Sequence, residues 1–142
     1  MPFLSLKLSA PESVETTTRV AAALLDLTVD VLKKKRELTS VAIEYVHPHH
    51  WFIGGVPLTP ESGAGIYLEI KVTEGTNTKD QKKAFIDQVT VALGAILGEI
   101  QPTSYVVIQE LRGDAWGYHG VTQEARYVLD SASASKAGAS AR

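Results

Sequence analysis

Pro2 is the residue of this sequence whose position could make it a base, because it directly follows the initiator methionine. Aminopeptidases usually remove Met1 when the next residue is small, and Pro2 would then carry a secondary amine at the N-terminus. An α-amino group titrates near pH 8, and an apolar pocket lowers its pKa because desolvation disfavours the ammonium form. A pKa near neutrality suits general base catalysis. The alternative interpretation is that the Met-Pro start carries no chemistry.

The elements that would position Pro2 begin immediately after it. Apolar and polar residues alternate over residues 3–8, which predicts a half-buried strand. Pro11 and Ser13 open a predicted helix of about twenty residues. Its apolar stripe, spaced for one helix face, consists of Val20, Leu24, Leu27 and Val31. A second strand at 41–46 and a turn-rich segment at 47–55, ending in Gly54-Gly55, complete this unit.

The same order of elements then repeats. Residues 66–72 alternate as a strand, and Thr78 and Gln81 have the spacing of a capping box before a helix. The predicted apolar stripe of this helix is Phe85, Val89, Leu93, Ile96 and Ile100, and Pro102 ends it. A strand at 105–111 leads to an aromatic hairpin at 116–120. The first strands of the two units superimpose at an offset of about 64 residues, which indicates an internal duplication.

Two β-α-β units predict an α/β fold in which a four-stranded mixed sheet carries both helices on one face. We expect residues 1–60 and 61–130 to be the two units of one compact domain. Residues 131–142 are rich in Ser and Ala and are expected to be a flexible tail without a role in the fold. The uncovered sheet face is expected to be apolar and to mark the interface of a symmetric assembly.

Composition narrows the class of protein. The chain has 142 residues, 44% of them hydrophobic, and a formal net charge of −2. These values predict a soluble globular domain and give no indication of nucleic acid as a partner. We expect no membrane segment and no signal peptide. The absence of cysteine excludes disulfides, thiolate metal sites and a cysteine nucleophile, and it favours a cytoplasmic location.

Over residues 2–129 the chain resembles the tautomerase superfamily, typified by 4-oxalocrotonate tautomerase. The resemblance rests on Pro2 followed at once by a strand, on Thr39-Ser40 before the second strand, and on aromatic hairpins that end in glycines. It also rests on the tandem repetition of a unit of about sixty residues. The chain is most similar to the long, fused members. This similarity implies a tautomerase/MIF-like fold and a homotrimer with no cofactor.

The resemblance implies a keto-enol tautomerase, an isomerase, that acts on a small 2-oxo or 2-hydroxydienoic acid. Unprotonated Pro2 would remove a proton and return it at another carbon. Only the first unit could supply this amine, because Ile66 stands at the matching place of the second. Two alternatives remain open: hydration or dehalogenation of unsaturated acids, and a non-catalytic trimeric binding protein. Retention of Met1 would favour the non-catalytic protein.

The sequence departs from the family in the residues that hold the substrate carboxylate. Short members carry one arginine after the first strand and another early in the following strand, and neither is evident here. Candidate replacements are Arg112, which could instead pair with Asp114, and Lys7, which could instead lie at an interface. The run 33–36 could steer an anion, or its charge could simply complement the end of the first helix.

Aromatic residues complete the expected site. By resemblance, Trp51 and Trp116 pack near the proline, often from another subunit, and exclude water. Tyr105 is a further candidate, and Phe52 and Tyr118 are weaker ones. For all five aromatic residues the alternative is packing in the core or at an interface.

The remaining histidines are not expected to form a site. His47, His49 and His50 form a cluster, but two of them are adjacent and Pro48 interrupts regular geometry, so we expect no metal site. His119 could polarise a substrate oxygen or simply occupy a turn position.

Overall fold

The structure is a computed structural model that describes residues 1–140, without the side chains of residues 137, 139 and 140. The first half contains β1 (Phe3–Leu8), α1 (Val14–Asp30), β2 (Ser40–Tyr45), β3 (Phe52–Ile53) and β4 (Val56–Pro57). The second half contains β5 (Ile66–Thr73), α2 (Lys79–Leu97), β6 (Tyr105–Leu111), β7 (Gly117–Tyr118), β8 (Val121–Thr122) and α3 (Gln123–Ser140).

The main sheet has the strand order β2-β1-β5-β6. In each unit the first strand pairs in parallel with the last, β1 with β2 and β5 with β6. The two units join through the antiparallel pairing of β1 with β5, in which Leu6 lies opposite Leu68 and Phe3 opposite Lys71. The predicted α/β fold with a four-stranded mixed sheet is therefore confirmed.

The core lies between this sheet and the helices α1 and α2. Alternate residues of the two central strands, such as Leu6 and Leu68, are fully buried because strand side chains point to opposite faces in turn. Phe85 and Val20 enter the same cluster from the helices. Within residues 1–140, the other fully buried apolar side chains are Leu4, Leu8, Leu24, Leu32, Ile70, Val72, Val89 and Leu93.

Helices α1 and α2 begin at the residues that the sequence indicates. The Ser13 side chain accepts a hydrogen bond from the Thr16 N–H at 3.0 Å, and Thr78 and Gln81 form the predicted capping box. The expected length of α2 is wrong at its end, because the helix ends at Leu97 and Gly98 follows with φ +82°. Ile100 lies beyond the helix, where it bridges to Ala64 and packs against the core.

Two further expectations are corrected by the structure. Residues 131–140, expected to be a flexible tail, continue helix α3, since alanine is the strongest helix former; residues 141–142 lie outside the described part. The open sheet face is mixed rather than apolar, because the strand alternation that buries the leucines places Ser5, Lys7 and Glu44 on the opposite side. Within residues 1–140, no helix is long and apolar enough to cross a membrane.

Substitution of Phe85 tests the position of the core. Phe85→Ala should lower the free energy of unfolding by about 3–5 kcal/mol, because it leaves a cavity in a fully buried site. Ile86→Ala, at the neighbouring position that is 40% exposed, should cost about 1 kcal/mol or less. Urea denaturation at one fixed protein concentration measures both, and equal losses would contradict the assigned helix face.

Candidate active site

Pro2 is buried at the amino end of β1, in the middle of the sheet. Its carbonyl accepts a hydrogen bond from the Ser40 N–H at 3.3 Å, which ties it to the start of β2. Met1, bonded to the Pro2 nitrogen, lines a cavity of about 670 Å³. Removal of Met1 would therefore leave the Pro2 nitrogen at the wall of this cavity.

The walls of the cavity come from both units of the chain. The segment after α1 contributes Lys33, Lys34 and Lys35, and the end of β5 and the loop after it contribute Thr73 and Thr76. The second hairpin and α3 supply the opposite wall, which includes Tyr118, Gln123, Glu124, Arg126, Tyr127 and Asp130. A chain terminus thus meets side chains from elements that lie far from it in sequence.

The turn after α1 directs Lys34 towards the cavity. Lys33 has a left-handed backbone, with φ +59°, and the Lys34 N–H donates to the Thr28 carbonyl at 3.2 Å. The Lys34 Nζ donates to the Thr76 Oγ1 at 2.8 Å, and this hydroxyl donates to the Thr73 carbonyl at 2.6 Å. The Asn77 side chain adds a bond from its Nδ2 to the Leu32 carbonyl at 2.9 Å. The ammonium of Lys34 is therefore held by the loop that follows β5.

The surroundings lower the pKa of the Met1 amine, which is the N-terminal amine of the unprocessed chain. Burial is the largest cause, because it disfavours the ammonium, and the charges of Lys34 and Lys35 act in the same direction. Burial also lowers the pKa of Lys34 itself, while the charge of Glu110 opposes this shift. An amine at this position is consequently unprotonated at lower pH than an ordinary chain terminus.

The second hairpin is tied to the same end of the sheet. The Trp116 Nε1 donates to the Thr73 Oγ1 at 3.1 Å, and the Gln123 N–H donates to the Trp116 carbonyl at 2.9 Å. Gly117 must be glycine, because a Cβ there would overlap the Val121 carbonyl. His119 and Gly120 both have positive φ, so His119 occupies a turn position. This hairpin places the first turn of α3 over the cavity.

Of the aromatic residues expected at the site, Tyr118 itself lines the cavity, and Trp116 is joined to it through the hydroxyl of cavity-lining Thr73. Arg112 is exposed on 74% of its side chain, and its Nε lies 3.3 Å from the Asp114 Oδ1. Arg112 therefore pairs with Asp114, which is the alternative to substrate binding that the sequence analysis gives for it.

The other expected residues lie at the far end of the sheet within this chain. Lys7 and Tyr105 both have Tyr67 as a register neighbour, about five residues or ~17 Å along the strands from Pro2. Trp51 packs over Gly65, where a Cβ would come within 2.8 Å of the indole ring. The chain alone does not bring these three residues to Pro2.

Sequence reasoning missed the residues of α3. Arg126 and Gln123 line the cavity, although neither belongs to a recognised motif. The sequence signal for the start of α3 is Thr122, followed by good helix formers. The Thr122 Oγ1 accepts a hydrogen bond from the Ala125 N–H at 3.1 Å and so caps the helix. The histidine cluster forms a turn in which the His47 Nδ1 accepts from the His49 N–H at 3.1 Å. In the described part of the chain, no group of three or more His, Cys, Asp or Glu residues could hold a metal ion.

Two tandem β-α-β units with a buried proline at the start of the first define a duplicated β-α-β class of α/β protein. The family model described as Tautomerase enzyme matches the chain twice, at residues 2–60 and 67–126. The chain therefore belongs to the tautomerase family, and the resemblance noted from the sequence is confirmed.

Solved structures share this fold. Native fused 4-OT is 23% identical, with a TM-score of 0.75, and the match covers 87% of this chain and 97% of that one. The Q0 fused 4-OT symmetric trimer is 18% identical, with a TM-score of 0.77 over 87% and 98% of the two chains. A macrophage migration inhibitory factor-like protein from Entamoeba histolytica is 21% identical, with a TM-score of 0.69 over 85% and 97%. No curated protein matches this chain.

Replacement of Lys34 tests the electrostatics of the cavity. Lys34→Met should raise the pKa of the N-terminal amine, because it removes a positive charge that disfavours the ammonium. Lys34→Arg should keep the pKa lowered, and Lys83→Met on the outer face of α2 serves as the control. Met1 is the only methionine, so ¹⁵N-methionine labelling of protein that retains Met1 gives one signal to titrate by NMR. An unchanged pKa in Lys34→Met would place Lys34 outside the cavity.

Proposed function

We propose that this protein is a cofactor-free keto-enol tautomerase in which Pro2, after removal of Met1, is the general base. The observation that carries the proposal is the position of the chain terminus at the wall of a cavity, beside half-buried Lys34. Membership of the tautomerase family supports the reaction class. The substrate class we propose is a small 2-oxo or 2-hydroxydienoic acid.

In the proposed reaction, the lone pair of the Pro2 nitrogen takes the proton of the substrate 2-hydroxyl. The O–H electron pair then forms the C2 carbonyl, and the electrons of the adjacent double bond move to a conjugated carbon. The protonated amine of Pro2 delivers its proton to that carbon, which restores the neutral base. Burial and the charges of Lys34 and Lys35 lower the pKa of the Met1 amine, and the same surroundings would favour the unprotonated form of the Pro2 amine once Met1 is removed.

Lys34 is the cation that we propose for the carboxylate next to the reacting carbons. An ammonium has three donors, and the Lys34 Nζ uses one of them on the Thr76 Oγ1. Its half-buried position strengthens its attraction for an anion, because the local dielectric is lower than that of water. Arg112, in contrast, is exposed and paired with Asp114. Lys34 would thus take the place of the arginines that this sequence lacks.

We further propose that the protein assembles as a homotrimer. Fused 4-OT structures are described as symmetric and asymmetric trimers, and they share this fold. Lys7, Trp51 and Tyr105 lie far from Pro2 of their own chain, so they would reach a cavity only if it belongs to a neighbouring copy. Trp116 would exclude water from within the same chain, through its bond to Thr73.

The function is tested by ketonisation of phenylenolpyruvate and 2-hydroxymuconate, followed by ultraviolet absorbance between pH 5 and 9. The Met-processed protein should show a rate well above buffer that rises with pH as the amine loses its proton. Pro2→Ala should reduce kcat/KM by about 10²-fold or more, since a positioned general base contributes about 10²–10⁴-fold.

Protein that retains Met1, identified by its mass, is the matched control because it differs only in the acyl group on the Pro2 nitrogen. We expect it to be inactive. Turnover that is indifferent to Pro2 and to Met1 would exclude the proposed base. Absence of turnover by the processed protein would turn attention to hydration of unsaturated acids, and then to a non-catalytic binding protein.

A further inference from the structure

The turn after α1, which carries Lys34, has a strained backbone. Lys33 has φ +59°, a left-handed conformation that costs free energy for a residue with a Cβ and that glycine usually occupies at the end of a helix. The Lys34 N–H donates to the Thr28 carbonyl at 3.2 Å across this turn. Such strain persists only where neighbouring groups fix the backbone. The turn therefore depends on contacts from outside α1.

Asn77 supplies a contact of this kind from the loop before α2. Its Nδ2 donates to the Leu32 carbonyl at 2.9 Å, directly before the strained residue. The same Nδ2 donates to the Gln81 Oε1 at 3.0 Å, and this oxygen also accepts from the Thr78 N–H at 3.0 Å. Gln81 belongs to the capping box that begins α2. One amide group thus joins the turn after α1 to the start of α2.

The orientation of the Asn77 amide is fixed by these bonds. Nδ2 donates to two acceptors, whereas Oδ1 is buried and has no hydrogen-bond partner among residues 1–140. A flipped amide would turn its oxygen towards two acceptors and lose both bonds. A buried acceptor without a partner costs free energy, so the side chain keeps this orientation for the bonds it donates. The position of Asn77 therefore sets that of the Leu32 carbonyl.

Few other contacts fix the ammonium of Lys34. Its Nζ donates to the Oγ1 of Thr76, which is exposed. Glu110 acts on Lys34 through its charge, but its Oε1 lies 2.6 Å from the Lys82 Nζ. Lys34 forms no salt bridge in the described part of the chain. The other charged residues that line the cavity are Lys33, Lys35, Glu124, Arg126 and Asp130. The place of Lys34 thus follows mainly from the backbone that carries it.

We propose that Asn77 is a positioning residue, which holds the Leu32 carbonyl and so keeps the Lys34 ammonium at the cavity wall beside the chain terminus. This inference rests on the role of Lys34 in the proposed function. Asn77 itself contacts neither the substrate nor the reacting atoms. Without its amide, the strain at Lys33 is no longer opposed, so the turn relaxes and the ammonium moves away from the terminal amine.

The first test uses protein that retains Met1 and therefore does not depend on turnover. With ¹⁵N-methionine labelling, the pKa of the Met1 amine reports the charge of Lys34. Asn77→Ala should raise this pKa, as Lys34→Met does, because a positive charge near the amine disfavours its ammonium form. In the Lys34→Met background, Asn77→Ala should cause no further rise, since the charge through which Asn77 acts is gone.

Two results of this cycle would overturn the inference. An unchanged pKa in the single variant Asn77→Ala would show that Lys34 keeps its place without the amide. An equal rise in both backgrounds would show that Asn77 acts on the burial of the terminus and not through Lys34.

Ser13→Ala is the matched control, because it removes a side-chain hydrogen bond that stabilises the other end of α1. Ser13 caps the start of this helix of 17 residues, about 25 Å from the turn. Ser13→Ala should lower the urea midpoint, as Asn77→Ala does, but leave the pKa of the Met1 amine unchanged. A comparable rise of the pKa in Ser13→Ala would show that loss of stability alone moves the signal, and the inference would fail.

The second test measures turnover of phenylenolpyruvate by the Met-processed variants. Asn77→Ala should raise KM by about tenfold and move the rising limb of the pH profile to higher pH, because Lys34 no longer lies beside the substrate carboxylate and the amine. The double variant should match Lys34→Met alone. An unchanged KM and pH profile in Asn77→Ala would contradict the inference. If the processed wild type shows no turnover, the proposed function fails, and the NMR cycle alone decides whether Asn77 positions Lys34.

Discussion

The antiparallel pairing of β1 with β5 at the centre of the sheet is the constraint on which the rest of the structure depends. It places the amino end of β1 beside the carboxyl end of β5, with Phe3 opposite Lys71. The elements that follow β5 and β6 must therefore enclose the first residues of the chain. By the same symmetry, Trp51 of the first unit covers Gly65, where the second unit begins. Residues of each unit thus pack over the start of the first strand of the other unit.

One group of charges serves two requirements that could conflict. In the proposed reaction the base must remain neutral, while the proposed substrate is an anion that needs positive charge nearby. Lys34 and Lys35 meet both, because a positive charge disfavours the ammonium form of the amine and attracts a carboxylate. Their place after α1 adds a modest benefit, since cations stabilise the carboxyl end of a helix. An arginine from another loop is not required for this arrangement.

Local signals in the sequence account for most of the fold. The alternation of residues 3–8 and 66–72 and the Thr78 cap predict the observed elements, because strand period and capping depend on neighbours in sequence. The end of α2 was misjudged since Gly98 ends the helix before Pro102 can do so. The helix at 131–140 was missed because its Ser and Ala residues offer no apolar stripe.

The site was less accessible to prediction than the fold. The place of Pro2 in the chain marks it as a candidate base, whereas the sequence does not indicate which way the lysine side chains after α1 point. Arg112 and Lys34 are both cations in loops, and only tertiary contacts distinguish the one paired with Asp114 from the one bound to Thr76. The position of the Arg126 side chain is set by its hydrogen bond to the Tyr118 carbonyl in the second hairpin. No local sequence pattern indicates this contact.

The burial of Pro2 also sets an order of events in time. A peptidase must reach the bond between Met1 and Pro2, but in the folded chain Pro2 is buried and its carbonyl is bonded to Ser40. β1 gains its central partner only when β5 has been synthesised, about 70 residues later, which at ~5–20 residues per second takes about 4 to 14 s. If Pro2 is the base we propose, methionine removal competes with folding on the ribosome, because a chain that folds before it is processed keeps Pro2 acylated and without a free amine.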